Sequence, residues 1–380
     1  MARLVAYLRF FALACLVSMT CLILTAFEDI RKRQYMIYLT ELSTGNANRL
    51  KKRIENEKQE NWFFWNQNME TSTAPFERIV KTKTEYAITA TQENPYLINN
   101  RLICRGVTKV SCLVMVHTAP SHIWRRTEMR RTWLNSSHYS PENVRVIFLL
   151  GTVSDSKLQE DIIQENKKYN DIIQGDFIDS YRNLTNKGVL GYRWISENCM
   201  NAELVVKVDD DAFINFFKLF EELKASLIQR KKYIFCNKIE AYTMPIIRKN
   251  NSKWFVLADQ YRSFNRYPHR YCSGFTVFIS TDLVPALYHA AKGSPFFWVD
   301  DFFLFGLLPS RSKGVVYESL RKNLTFKHPD AVACYKQKKQ KCEYLVMPAK
   351  DKELDVLWKL VIADRKQSEY GYYYMKSQNT

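Results

Sequence analysis

The stretch Ala202-Glu-Leu-Val-Val-Lys-Val-Asp-Asp-Asp-Ala-Phe-Ile-Asn215 decides how the chain is read. Leu204, Val205, Val206 and Val208 form a short, β-branched apolar run, the pattern of a buried strand. It stops at Asp209, Asp210 and Asp211. Three adjacent carboxylates repel one another, and a cation removes that cost. Hard divalent ions such as Mg²⁺ and Mn²⁺ take oxygen ligands and keep substrate phosphates in their shell. Ligands of open α/β sheets bind beyond the carboxyl ends of the strands, so this edge suits a metal–diphosphate site. An acidic turn capping a helix that begins near Phe213 satisfies the same residues, because Asp is a good N-cap.

Outward from this point, 380 residues are enough for a large core. The formal charge of +17 favours anionic partners: phosphates, nucleotides, acidic glycans or a membrane surface. No zinc-finger spacing, helix-turn-helix signal or aromatic RNA-binding motif supports nucleic acid as the partner. Phe10 to Phe27 carries no charge and is about as long as the shortest membrane-spanning helix. Residues 1–9 then form a cytosolic tail, 10–27 a signal-anchor and 28–100 a stem, with 101–380 as the lumenal domain. A cleaved signal peptide ending near Leu24-Thr25-Ala26 is the rival reading. Within the stem, Arg49 to Glu60 suits a helix of mixed charge, and Asn61–Trp65 forms an aromatic patch.

Cys15 and Cys21 fall in the apolar segment, leaving Cys104, Cys112, Cys199, Cys236, Cys272, Cys334 and Cys342. None has metal-type C-x-x-C spacing, so disulfides in an oxidising lumen are expected. Cys104–Cys112 and Cys334–Cys342 are close enough in sequence to staple local loops. Sequons at Asn135, Asn183, Asn250 and Asn323 fit the same compartment.

From Ser111 the chain alternates strands and helices, the signature of an α/β domain. Strands are expected at Cys112–Val116, Val144–Leu150, Ile172–Phe177, Leu204–Val208, Tyr233–Cys236 and Cys272–Ser280. Helices are expected at Trp124–Trp133, Lys157–Tyr169, Asn186–Asn198 and Asp282–Ala291. The first helix places Arg126 and Arg130 one turn apart on one face, where they bind a diphosphate, brace a carboxylate or meet solvent.

Several separated motifs now occur in one order. They are Met129-Arg-Arg-Thr-Trp133, Phe148-Leu-Leu-Gly151, Gly175-Asp-Phe-Ile-Asp-Ser-Tyr-Arg-Asn-Leu-Thr185, Lys207-Val-Asp-Asp-Asp211, Tyr271-Cys-Ser-Gly274 and Val299-Asp-Asp301. Over roughly residues 110–305 the chain resembles the β-1,3-glycosyltransferase family, which includes β-1,3-galactosyltransferases, β-1,3-N-acetylglucosaminyltransferases and fringe. The resemblance implies a Golgi type II membrane protein with a GT-A, Rossmann-like α/β domain. It implies inverting hexose transfer, galactose before N-acetylglucosamine, from a UDP-sugar with Mn²⁺ to position 3 of a glycan on glycoprotein or glycolipid.

The same resemblance implies residue roles. Asp211 and Asp209 hold the metal, and Asp210 orients the sugar. Asp301 takes the acceptor proton, with Asp300 standing where the family has Glu. Arg130, Asp176 and Lys187 line the donor pocket. Cys199 and Cys272 are expected to pair, leaving Cys236 free. The family's late metal-binding His is replaced by Met347, a poor ligand for Mn²⁺; His328 is its candidate substitute. Phe275 and Thr276 add bulk where the family has more glycine. These departures keep open a weakly active or inactive partner or chaperone, and the charge of +17 keeps open a membrane-anchored polyanion-binding protein. An oligomer is compatible with either.

Overall fold

Seven strands and helices of the expected α/β alternation precede the acidic turn, and their order places that turn at the carboxyl edge of the sheet. The computed structural model describes residues 96–378. The cytosolic tail, the apolar segment with Cys15 and Cys21, and the stem up to residue 95 lie outside the described residues. Among the described residues, no helix is long and apolar enough to cross a membrane.

The elements are β1 (Cys112–His117), α1 (Ile123–Arg131), β2 (Val144–Thr152), α2 (Ser156–Tyr169), β3 (Ile172–Ile178), α3 (Leu184–Asn198), β4 (Leu204–Asp209) and β5 (Ala212–Ile214). There follow β6 (Tyr233–Ile239), β7 (Tyr271–Ser280), α4 (Val284–Lys292), β8 (Val316–Ser319), α5 (His328–Lys338), β9 (Val346–Pro348) and α6 (Lys352–Gln378). Seven strands form one sheet in the order β3-β2-β1-β4-β7-β6-β8. The half from β3 to β4 is parallel, and β7 runs antiparallel to both β4 and β6.

Alternation along each strand explains the two-sided core. Leu113 and Met115 of β1 and Val205 of β4 face one apolar cluster, which α3 covers with Val189, Leu190 and Tyr192. Cys112, Val114 and Val116 of β1, with Leu204, Val206 and Val208 of β4, face the other. Trp133 anchors that second cluster, with its ring edge-on to Phe213 and Phe216. Burial of each such ring contributes on the order of 2 kcal/mol. A sheet covered on both faces needs near-continuous apolar strands, which is what the sequence supplies.

From β1 the chain moves outward through β2 and β3, then crosses back to place β4 on the other side of β1. That reversal is a topological switch point, and His117 and Asp209 are register partners across it. Beyond Asp211 the chain enters β5, not a helix at once; Asn215 caps the helical turn that follows. β5 pairs antiparallel with β9, setting Phe213 opposite Met347. The carboxyl-terminal segment therefore returns to the acidic edge, where Ala349 N–H donates to the Asp211 carbonyl at 2.8 Å.

The disulfides correct the expected pairing. Cys199 bonds to Cys104 and Cys272 to Cys236, while Cys334 bonds to Cys342. Cys199 and Cys272 are therefore not partners, Cys236 is not free, and no Cys104–Cys112 loop forms. Cys112 is the free, buried thiol among the described residues. The physical reason is strand order: β6 and β7 are neighbours, and an irregularity in their pairing between Cys236 and Lys238 leaves Cys236 and Cys272 with Cα atoms 5.8 Å apart. The end of the expected stem is docked on the domain, with Leu97 and Ile98 N–H both donating to the Gln174 carbonyl.

Candidate active site

Lys207 is the organising residue of the acidic edge. It lies on β4 two residues before the strand's end and is almost wholly buried. Its Nζ donates to Asp209 Oδ1 at 2.6 Å and to the Gly274 carbonyl. Burial would lower its pKa, but Asp209, Asp300 and Asp301 outweigh that effect and raise it, so the ammonium is kept.

These interactions gather Asp209, Asp300 and Asp301 around one cation. Burial, Asp301 and Asp211 push the Asp209 carboxyl up to about 6 against the pull of Lys207. Asp300 is pushed up to about 8, by burial first and then by Asp301 and Asp209. Asp301 is raised by burial, while Lys207 and the Gly274 N–H hold it down. Asp209 thus feels both Asp211 and Asp301, which places the strand-end acids and the Val299-Asp-Asp301 acids in one cluster.

The elements bring these groups together for local reasons. Asp300 and Asp301 open a helical stretch that packs on β7, and β7 pairs with β4. A Cβ on Gly274 would overlap Asp301 Oδ1 and come within 3.2 Å of Lys207 Nζ. Only glycine leaves room there for both the carboxylate and the ammonium.

Asp209 and Asp211 offer hard oxygen donors, with side chains 40% and 28% exposed. The crowding that raises Asp209 is what a divalent cation relieves, so the donor set fits such an ion. Met347 does not join it. Its side chain is fully buried in the apolar cluster beside Phe213, and no His stands in its position. His328 Nδ1 lies 3.2 Å from the Pro348 carbonyl at the start of α5.

The expected donor-binding side chains are placed otherwise. Arg130 is a brace: Nε and Nη2 donate to Asp171 at 2.7 and 2.8 Å, and Nη1 to Glu165 at 2.7 Å. Its guanidinium lies between the rings of Phe148 and Tyr169. Arg126 is completely buried against Glu165 and the carbonyls of Ala119 and Pro120. Lys187 is likewise buried, bonded to the Thr118 carbonyl at 2.6 Å and to Asp179. Asp210 turns away from the cluster, accepting from Thr118 and Arg125 and meeting His122 Nδ1 at 2.7 Å. Burial opposes its ionisation, but those partners lower its pKa. Arg126, Lys187 and Asp210 therefore bond to the loop after β1, whereas Arg130 ties α1 to α2 and to the start of β3. Asp176 is exposed on β3.

Some residues of the site, several of them inside the quoted motifs, had no role read for them from the sequence. Lys207 reads as an interruption of an apolar strand and Gly274 as one glycine among eleven. Asp179 accepts from the Gly151 N–H and binds Lys187, tying β2 to α3. His117 is buried with both ring nitrogens unpartnered. Burial, Lys207 and Lys187 all hold its pKa well below the usual imidazole value. Phe275 packs 5.5 Å from Phe326. Among the sequons, Asn183 and Asn323 spend their amide nitrogens on the Ile178 and Glu343 carbonyls, Asn135 caps a turn, and Asn250 is exposed.

In an open α/β sheet the ligand site lies beyond the carboxyl ends of the strands at the switch point, which is where these carboxylates and the buried lysine cluster. Residues 124–319 match the galactosyltransferase family model, and the chain belongs to that family. It is 32% identical over 228 residues to lactosylceramide 1,3-N-acetyl-beta-D-glucosaminyltransferase A of Xenopus laevis, covering 56% of this chain and 59% of the relative. It is 33% identical over 192 residues to human beta-1,3-galactosyltransferase 5, covering 50% of this chain and 60% of that protein. The chain thus spans less than two thirds of the curated relatives it matches. Among solved structures, the galactosyltransferase LgtC in complex with donor and acceptor sugar analogs matches at 9% identity and a TM-score of 0.32, over 63% of this chain and 87% of its own.

Proposed function

We propose that the protein is an inverting β-1,3-glycosyltransferase of GT-A type that moves a hexose from a UDP-sugar to position 3 of an acceptor glycan. The observation that carries this reading is the single cluster of Asp209, Asp300 and Asp301 around Lys207 at the switch point. Asp211 and Asp209 would hold a divalent cation, Mn²⁺ by family analogy, which would supply positive charge for a leaving diphosphate. Asp301 accepts the proton of the acceptor hydroxyl as that oxygen bonds to the anomeric carbon and UDP departs with the bonding electron pair. Burial raises the Asp301 pKa, as suits a proton acceptor, while Lys207 and the Gly274 N–H oppose that rise.

Both galactose and N-acetylglucosamine are represented among the relatives' named donors, and a lactose-type glycolipid is the acceptor named for several. The apolar run 10–27 supports anchoring in the Golgi membrane with the catalytic domain in the lumen. Purified protein incubated with labelled UDP-galactose or UDP-N-acetylglucosamine, Mn²⁺ and a galactose-terminated acceptor is expected to give a β-1,3-linked product. Absence of product and of UDP release across that panel overturns the reading. A partner protein without turnover is the second reading, favoured by the burial of Met347 where the family has a metal-binding His. It predicts Mn²⁺-dependent UDP binding with no transfer.

A further inference from the structure

Beside the carboxylate cluster stands a group of aromatic rings and cations that the transfer chemistry leaves unused. Trp298 precedes Asp300 by two residues, and its indole Nε1 is buried without a hydrogen-bond partner. The Tyr181 ring lies 6.1 Å from it, and the Arg182 guanidinium sits 3.8 Å above it. Lys253 Nζ is 4.5 Å from the Trp254 ring and 5.6 Å from that of Tyr181. Tyr181 and Trp254 are about half exposed, at 48% and 52%.

Three segments are locked together to build this surface. Thr185 Oγ1 donates to the Phe297 carbonyl at 2.7 Å, and Arg182 donates to the Phe255 carbonyl at 3.0 Å. The Tyr181 hydroxyl lies in the field of Asp300, Asp301 and Asp209, and Trp298 is two residues from Asp300, so the surface adjoins the reacting groups. Among the described residues, neither Arg182 nor Lys253 is paired with a carboxylate. The loop from Ala241 to Arg270 carries six basic residues against one acidic, Asp259.

Exposed rings edged by cations without counter-ions form a site for a ligand with an apolar face and a negative charge. A pyranose offers C–H bonds on one face, and a carboxylate or sulfate on it meets a cation at modest desolvation cost. We propose that Tyr181 and Trp254 with Lys253 and with Arg182, which rests on the buried Trp298 ring, form the acceptor subsite, and that it selects a glycan bearing an acidic sugar. This rests on the transferase reading for the word acceptor, but the binding surface is independent of turnover.

The test uses the full chain in neutral detergent and calorimetric titration with three saccharides. These are N-acetyllactosamine, its 6-sulfated form, and a disaccharide with glucuronate in place of galactose. At low salt, the acidic saccharides are expected to bind about tenfold more tightly than the neutral one, with the preference shrinking at high salt. The sulfated and glucuronate arms identify which anion is preferred. Lys253→Ala with Arg182→Gln is expected to reduce the preference to about twofold or less while neutral-sugar binding and Mn²⁺-dependent UDP binding persist. Both positions are exposed, and UDP binding reports that the variant is folded.

No preference in the native chain overturns the proposal, as does a preference that survives the double substitution. Loss of UDP affinity in the variant with the saccharide preference intact reassigns the cations to the donor and also overturns it. Acidic-saccharide binding with no UDP binding in the native chain supports the subsite and sinks the transferase reading instead.

Discussion

The carboxylate of Asp301 fills the space above Gly274 that any side chain at that position needs. The Gly274 N–H helps to hold the same carboxylate down in pKa, and the Gly274 carbonyl accepts from Lys207. One backbone residue on β7 therefore fixes both the candidate base and the lysine that keeps it charged.

Gly274→Ala is expected to displace Asp301 and reduce kcat by at least about tenfold, a loss of roughly 1.4 kcal/mol or more in transition-state stabilisation. UDP affinity should change far less, because the strand-end acids are untouched. Steady-state transfer kinetics beside calorimetric UDP binding measure the split; equal losses in both would remove Gly274 from this role.

Asp301→Asn keeps size and removes the basic oxygen. Turnover should fall by about 100- to 10,000-fold, the usual worth of a positioned base. Binding of the UDP-sugar in the presence of Mn²⁺ should persist. Native turnover in this variant assigns the proton to another group.

Asp211→Ala is expected to weaken Mn²⁺-dependent UDP binding by about tenfold or more and to leave metal-free binding nearly unchanged. Titrating UDP with Mn²⁺ and with chelator separates the two. An equal affinity in both conditions for the native chain would discard the metal role of Asp209 and Asp211.

Arg130→Ala is expected to act on stability. It strands Asp171 and removes one of the two guanidiniums on Glu165, which Arg126 still holds, and breaking a buried pair of this kind costs about 3–5 kcal/mol. Chemical unfolding should show that loss, while UDP affinity of the folded fraction stays native. A selective loss of UDP affinity with native stability would restore Arg130 to the donor pocket.

Unreduced peptide mapping should recover Cys104–Cys199, Cys236–Cys272 and Cys334–Cys342 as linked pairs. Cys112 should alkylate only after denaturation, because its thiol is buried and its pKa is pushed up by that burial. Rapid alkylation of Cys112 in the folded protein would contradict its placement inside β1.

The sequence by itself determined the elements and the chemistry of the edge. A β-branched apolar run ending in acids has the pattern of a buried strand that delivers carboxylates to a sheet edge, so the strand up to Asp209 was legible as it stands. The alternation after Ser111 likewise fixed an α/β domain, and the ordered motifs marked Asp301 as belonging with Asp209 and Asp211. Tertiary structure decided which charges are spent inside the molecule. A run of arginines on α1 looks the same in sequence whether it awaits a diphosphate or meets Glu165 and Asp171 across α2 and β3; only the packed distances distinguish them. Disulfide partners were equally hidden, because strand order, not sequence separation, brings Cys236 to Cys272. Periodicity reports which face of an element is buried, but ion pairs, glycine clearances and cross-sheet neighbours arise from contacts between elements, and those exist only once the sheet has chosen its order.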